Sequence, residues 1–408
     1  MIDIKPFKAI RPPRDKAYLV ATRSYLSYTD AELDDKLRNN PFTFLHIINP
    51  KEGRHLAPGT KKYQLVKANF QEWCEKGILQ KDTQNAFYLY RQEKEGNEYI
   101  GVIAAVSVKD YQSDRIKKHE NTLSHREEMF TDYLESTGFN AEPVLLVHRD
   151  NNLLNQLYAR YINQRAEYEF TSTDRVMHQL WLIEEKADCE QISTIIGSQE
   201  QLYIADGHHR CASSSLLAER LSERDSADGP HSYFMAFLIG EEQMKVFDFN
   251  RLVKNDSAKG AIEILKELEA NFIIENKGAE AFKPERLHEM GMYLKGEWYK
   301  LSPKIGSFDA GHAVGHLDAQ ILSENILAPV FDITNLKTDH RVDFMPGTEG
   351  LDKLQAQVDN GRFDLAFSLY PVSIEQLKEV SDLGLTMPPK STYIEPKLRS
   401  GLTIYPIR

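Results

Sequence analysis

Three cysteines are all the chain has, at positions 74, 189 and 211 of 408. They lie far apart and form no paired ligand spacing, which argues against a structural zinc site or a disulfide framework and fits a reducing compartment. No segment approaches the roughly 18 consecutive apolar residues of a membrane span. The stretch from Met1 to Phe7 lacks the apolar core of a secretory signal, so cytoplasm is the expected location and no membrane partner is expected. Positive charge is also short: 50 Lys and Arg against 61 Asp and Glu leave a net charge of −11. Nucleic-acid surfaces depend on clustered cations, so no nucleic-acid partner is expected. A pocket for a small phosphorylated metabolite needs only a few positive groups. Also missing are a Gly-x-x-x-x-Gly-Lys-Ser/Thr loop, which is the usual cradle for nucleotide phosphates, any internal repeat and any low-complexity tract.

What is present is ordinary globular material, with 41% hydrophobic and 27% charged residues. A chain this long exceeds a typical single core, so two subdomains or one elaborated domain are expected. Periodicity predicts a strand over 42–48, a helix over 62–80 and a hairpin from strands at 86–92 and 98–108. Helices are expected at 121–137, 151–164, 189–199 and 211–224, with strands at 144–148, 175–183, 201–205, 232–240 and 245–252. Further on come a helix over 258–270, strands near 291–301, a helix over 315–327, and helix, strand and helix at 349–358, 365–369 and 373–384. The expected division is a core over 1–255, a second or inserted α/β subdomain over 256–345, and a C-terminal segment over 346–408 that packs back on the core.

The chemistry concentrates at Asp206-Gly207-His208-His209-Arg210, where an apolar strand stops and a helix begins. Gly207 permits unusual backbone angles and the close approach of a ligand. The first amides of the helix are unpaired donors at the positive end of its dipole, which suits an anion. His208, His209 and Arg210 add donors and charge, and Arg210 has the fork geometry to grip a phosphate twice. Asp206 is a candidate metal ligand or histidine-orienting group. The bland alternative is a helix start with incidental polar residues. Zinc ranks below phosphate, because adjacent histidines rarely chelate one ion.

Other residues extend this reading. His119 and Glu120 precede a helix for which Thr122 or Ser124 is the candidate cap. Glu120 is the candidate general base and His119 a neighbouring donor, against the alternative of a solvated charge cluster. Near the C-terminus Lys390, Ser391, Thr392 and Lys397 stand among prolines, and this stiff segment of cations and hydroxyls suits a phosphate or carboxylate. Arg251 reaches either the site or a surface ion pair. His178 reads as a packed residue, and His312 with His316 lacks a third ligand. Cys211 reads as a buried small residue, although a helix N-terminus would lower its thiol pKa.

The segment Tyr203 to Arg210 resembles the core motif of a bacterial family known as domain of unknown function 1015. Matching stretches run nearly end to end: Lys5-Pro6-Phe7 with Arg11-Pro12, Asn40-Pro41 with Phe44-Leu45-His46, Lys118 to Thr122, and Met387 to Lys397. One stretch departs: Thr22 to Leu26 stands where the family carries a Pro-Pro-Tyr-Asp type segment. The Asp-Gly-His-His-Arg turn is also similar to that of free-serine kinases built on the partition-protein and sulfiredoxin fold. That resemblance implies an α+β (mixed α/β) core with large N- and C-terminal elaborations. It implies phosphoryl transfer on a small hydroxyl metabolite, with free serine or phosphoserine the first guess. Catalytic roles would fall to Glu120, Asp206 and His208. Gly207, His209, Arg210, His119, Lys390, Ser391, Thr392 and Lys397 would bind phosphate or substrate. Magnesium at Asp206 and a nucleotide or pyrophosphate as phosphate donor or acceptor go with that reading. The rivals are a phosphoserine phosphatase using the same pocket and a non-enzymatic nucleic-acid or ligand-binding protein of the same fold. The oligomeric state has no signal in the sequence.

Overall fold

The hairpin expected near 86–108 forms on the shortest possible turn. Glu95 and Gly96 have φ of 51° and 77°, the pair of positive angles that matches the right-handed twist of the strands they join. These strands, β2 (Phe87–Lys94) and β3 (Asn97–Ser107), lie inside a nine-stranded mixed sheet. The computed structural model describes residues 1–222, 224, 228–257 and 259–408, with the side chain of Leu26 left out. It divides into two compact units, Met1–Met244 with Pro396–Arg408, and Lys245–Glu395.

The other strands of the first unit's sheet are β1 (Ile4–Lys5), β4 (Ile116–Lys117), β5 (Val144–His148), β6 (Tyr168–Thr171), β7 (Met177–Ile183), β8 (Leu202–Asp206) and β9 (Tyr233–Gly240). Their order is β4-β8-β5-β9-β3-β2-β7-β6, with β1 beside β3. Two neighbouring pairs, β4 with β8 and β5 with β9, are parallel. The unit's longer helices include α1 (Thr60–Glu75), α2 (Ser124–Thr137), α3 (Asn152–Ile162), α4 (Lys186–Gly197) and α5 (His208–Ser222). Leu154, Leu157, Ile192, Ile196, Cys211 and Ala218 from these helices join Leu89, Val102, Leu146 and Ile204 of the sheet in one core.

At the centre of the sheet β3 and β9 approach too closely for a side chain at Gly101. A Cβ there would stand 2.2 Å from the Leu238 carbonyl oxygen and 2.8 Å from the Phe237 ring. Because the first obstacle is backbone, it cannot rotate away. Gly101→Ala is therefore expected to destabilise the protein by about 3 kcal/mol, the upper part of the overpacking range. Urea denaturation of the full chain checks this, and an unchanged midpoint would contradict it.

The second unit is built on a six-stranded antiparallel sheet. Its strands are β10 (Phe249–Val253), β11 (Phe272–Gly278), β12 (Met290–Leu294), β13 (Glu297–Pro303), β14 (Val342–Pro346) and β15 (Leu365–Ser368), in the order β11-β13-β12-β15-β10-β14. Alternate residues serve two cores. Val253, Met292 and Leu365 face one that includes Phe272 and Leu327, while Leu252, Tyr293 and Ala366 face another that includes Trp298 and Leu354. Helices α6 (Ala261–Leu268), α7 (Leu351–Asp359) and α8 (Ile374–Asp382) belong to this unit.

The class is mixed α/β, as the resemblance implied. The 42–48 run is not a strand: Leu45–Ile48 is one helical turn with Phe44, Leu45 and Ile47 buried, since a short apolar run suits either form. The 245–252 segment is split, Lys245–Phe247 pairing with Tyr393–Glu395 and β10 entering the large sheet. Residues 346–395, expected to return to the core, place β15 between β12 and β10 of the second unit. Within the expected helices 211–224 and 258–270, residues 223 and 258 lie outside the described residues. Among the described residues no helix is long and apolar enough to cross a membrane.

Candidate functional site

The strand β8 ends on Asp206, Gly207 turns the chain at φ +103°, and α5 begins at His208. The helix starts three residues before the expected 211, so both histidines and Arg210 belong to its first turn. The first backbone bond into the helix is from the Cys211 N–H to the Gly207 carbonyl at 3.0 Å. In any α-helix the first amides lie ahead of the carbonyl ladder and look outside the helix for acceptors. Pairing of β8 with β5 shifts register between Ile204 and Asp206, a bulge that re-aims the strand's last side chain.

Topology explains which distant residues arrive. Strand β4 is parallel to β8, so both run out at the same end of the sheet, and Lys118, His119 and Glu120 follow β4 there. The Glu120 carboxylate lies 3.6 Å from His208 Nδ1. The His119 backbone N–H donates to His208 Nε2 at 3.4 Å. With Nε2 accepting, the neutral ring carries its proton on Nδ1, toward Glu120. The two imidazoles meet edge to face, with centroids 4.4 Å apart. Strand β5 is antiparallel to β8, so the residues entering it, Glu142 and Pro143, reach the same end.

Burial dominates the electrostatics here. His208 is only 5% exposed, and burial pushes its pKa down to about 4, with the Asp206 charge opposing and His209, Lys118 and Arg210 assisting. Burial, with His208 beside it, pushes His119 down to about 3. Both rings are therefore neutral at pH 7. Because these values lie below the ordinary 6.5, the unfolded chain takes up the protons first as pH falls. The stability involved is complete above pH 6.5 and is lost from there down to about pH 4, on the order of 3 kcal/mol for His208 alone. Melting curves between pH 7.5 and 4.5 are expected to fall less steeply for His208→Asn than for the wild type. Parallel curves would contradict this.

The structure changes the role of Arg210. Its Nη2 bonds Asp206 Oδ2 at 2.7 Å, and its Nη1 pairs with Glu142 Oε1 at 2.8 Å and also donates to the Pro143 carbonyl. Burial works against its charge, but Glu142 and Asp206 outweigh burial and hold its pKa above the usual value. The fork is already engaged and serves to fix Asp206 and the turn. An anion here would meet the helix amides in place of a free guanidinium. Lys397 Nζ stands 3.6 Å from Asp206 Oδ1, which brings the C-terminal cation to the turn.

Asp206 and Glu120 remain partly accessible, with side chains 43% and 42% exposed. Asp206 does not fit a divalent-metal site built from protein alone. Cations adjoin both its oxygens, and among the described residues no three His, Cys, Asp or Glu side chains gather as a metal cage. Cys211 is fully buried and burial raises its thiol pKa, so the lowering expected from the helix N-terminus is overturned. Neither expected cap operates on α2: its N-cap is Leu123, and the Thr122 hydroxyl donates to the Glu127 carboxylate.

Lys390, Ser391 and Thr392 belong to the other unit. There the Ser391 hydroxyl donates to the Pro388 carbonyl, Lys390 Nζ lies 5.4 Å from the Phe249 ring centroid and Thr392 is half-buried. His178 is packed between Tyr90 and Ser172. The His312 ring accepts the amides of Val314 and Gly315. Glu142 escaped the sequence reading, because nothing in its spacing marks it.

Comparison with known proteins gives the following. A family model described as "Protein of unknown function (DUF1015)" matches residues 4–320. No curated protein matches the chain. Among solved structures, a mutant free serine kinase in complex with AMP is 13% identical with a TM-score of 0.38, covering 75% of this chain and 92% of that one. A conserved hypothetical protein from Pyrococcus furiosus is 15% identical with a TM-score of 0.35, covering 74% and 95%. SbnI with C-terminal truncation from Staphylococcus aureus is 13% identical with a TM-score of 0.36, covering 72% and 82%.

Proposed function

The chain belongs to the family described as "Protein of unknown function (DUF1015)", and from that premise we propose that it transfers a phosphoryl group to or from the hydroxyl of a small metabolite, with the phosphate seated on the first turn of α5. The observation that carries this is Gly207. It turns the chain at φ +103° between the strand end and the helix start, and a helix N-terminus at such a turn stabilises an anion through its first amides and its dipole, without a dedicated cation. The rest of the site supplies what such a transfer needs. Glu120, oriented by the neutral His208, accepts the hydroxyl proton as the oxygen forms its bond to phosphorus and the bond to the leaving group breaks. Lys397, beside Asp206, adds positive charge. No step is routed through a metal, since Asp206 is already held by two cations.

Free serine and phosphoserine are the substrates to test first, on the strength of the Asp-Gly-His-His-Arg resemblance, with a nucleotide or pyrophosphate as the other partner. The full chain is incubated with phosphoserine, with and without nucleoside diphosphate or phosphate, and with serine plus nucleoside triphosphate or pyrophosphate, and phosphorus NMR follows the products. Transfer that requires an acceptor is the expected result. Phosphate release without one makes the protein a hydrolase, and turnover in no arm defeats the serine assignment.

A further inference from the structure

Among the described residues of the Lys245–Glu395 unit, one buried cation has no carboxylate beside it and is held by backbone carbonyls. Arg251, on β10, is fully buried. Its Nη1 donates to the Phe249 carbonyl at 2.6 Å and its Nη2 to the Pro389 carbonyl at 3.4 Å. The Phe344 ring lies 4.7 Å from Cζ. Its Nε is buried and donates to nothing, and among the described residues it has no carboxylate within ion-pair distance. Other secluded arginines are treated differently: Arg11 pairs with Asp82, Arg210 with Glu142 and Asp206, and Arg399 with Asp174. A buried guanidinium held by carbonyls and an aromatic face alone is undercompensated, and burial lowers its pKa to about 9.

What covers Arg251 is itself strained. Lys390, the residue after Pro389, has φ +57°, a left-handed conformation that non-glycine residues seldom adopt without support from their surroundings. Its Nζ rests 5.4 Å from the ring centroid of Phe249, whose carbonyl Arg251 also holds, so a second cation stands by the same strand. The Pro389 contact is the longer of the two fork bonds, and it is the one that the cover supplies.

We infer that Arg251 anchors an oxyanion site of the second unit, in which a phosphate or carboxylate group takes the place of the Pro389 carbonyl on the guanidinium fork once the 388–391 turn swings aside, with Lys390 as the second cation. A charged, two-pronged acceptor on the fork would supply what the two carbonyls do not. This inference stands apart from the site on α5, and its test separates the two.

Calorimetric titration of the full-length Gly207→Ala chain with inorganic phosphate, and separately with acetate, leaves the second unit as the place to bind. Adding Arg251→Met is expected to weaken that binding by about 30-fold or more, the loss that follows from removing one partner of a buried charge pair. Where the methionine variant does not fold, Arg251→Lys keeps the charge but loses the fork, and is expected to weaken binding about tenfold. Binding of phosphate alone assigns a phosphate group, and binding of acetate alone assigns a carboxylate. Binding of neither, or affinities unchanged in the arginine variants, overturns the proposal and leaves Arg251 as a pin for the 388–391 turn.

Discussion

Gly207→Ala is expected to lose phosphate binding at the α5 turn, with affinity there falling at least about 100-fold, and to lower the melting temperature at the same time. Two independent costs produce this result. The backbone at φ +103° is one that an L side chain rarely adopts, and holding alanine there costs about 1–3 kcal/mol. The new Cβ would also stand 3.1 to 3.2 Å from Nε, Cζ and Nη2 of Arg210. That guanidinium cannot move without loosening Asp206 or Glu142. Relief must come from the turn itself, by rotating the first amides of α5 away from a common focus. An anion held by several converging donors loses most of its stabilisation when they diverge, and 100-fold corresponds to roughly 2.7 kcal/mol, about that of one or two charge-assisted hydrogen bonds. Phosphate titration in an Arg251→Met background isolates this site, and thermal melts report the strain. A variant with wild-type affinity would show that the anion does not sit on the turn.

The residues of this turn were legible in the sequence because they are contiguous. A strand, a glycine and a helix start are local features, and Asp206 to Arg210 carry them within five positions. The approach of Glu120 was legible only as a candidate. What brings it is the parallel pairing of β4 with β8, which joins Ile116 to Leu202 across 86 positions. The use made of Arg210 was not legible at all, because its partner Glu142 arrives through an antiparallel strand whose Val144 and Leu146 pack into the core. Cys211 shows two effects in competition: the charges of Arg210 and Lys118 favour its thiolate, burial disfavours it, and burial prevails. The second unit gave least away. Strand β15 enters its sheet between β12 and β10, partners about 75 and 115 positions earlier, and alternation within one strand carries no information about which neighbours it will find.

Glu120→Gln is expected to lower kcat of the proposed transfer by about 10²- to 10⁴-fold with KM little changed, the range for loss of a positioned general base. The substitution keeps the shape of the side chain and an oxygen able to accept from His208 Nδ1, so orientation survives while the capacity to take a proton is removed. Asp206→Asn should behave differently. Asp206 bonds Arg210 and adjoins Lys397, so removing its charge loosens the turn and frees two cations to meet the substrate phosphate. KM and kcat should then shift together, without the selective loss of kcat. The comparison therefore separates a proton acceptor from a residue that positions the anion site. Steady-state kinetics on whichever substrate turns over provides the measurement. Glu120→Gln with the wild-type kcat would remove Glu120 from the chemistry and leave the turn as an anion-binding site whose base lies elsewhere.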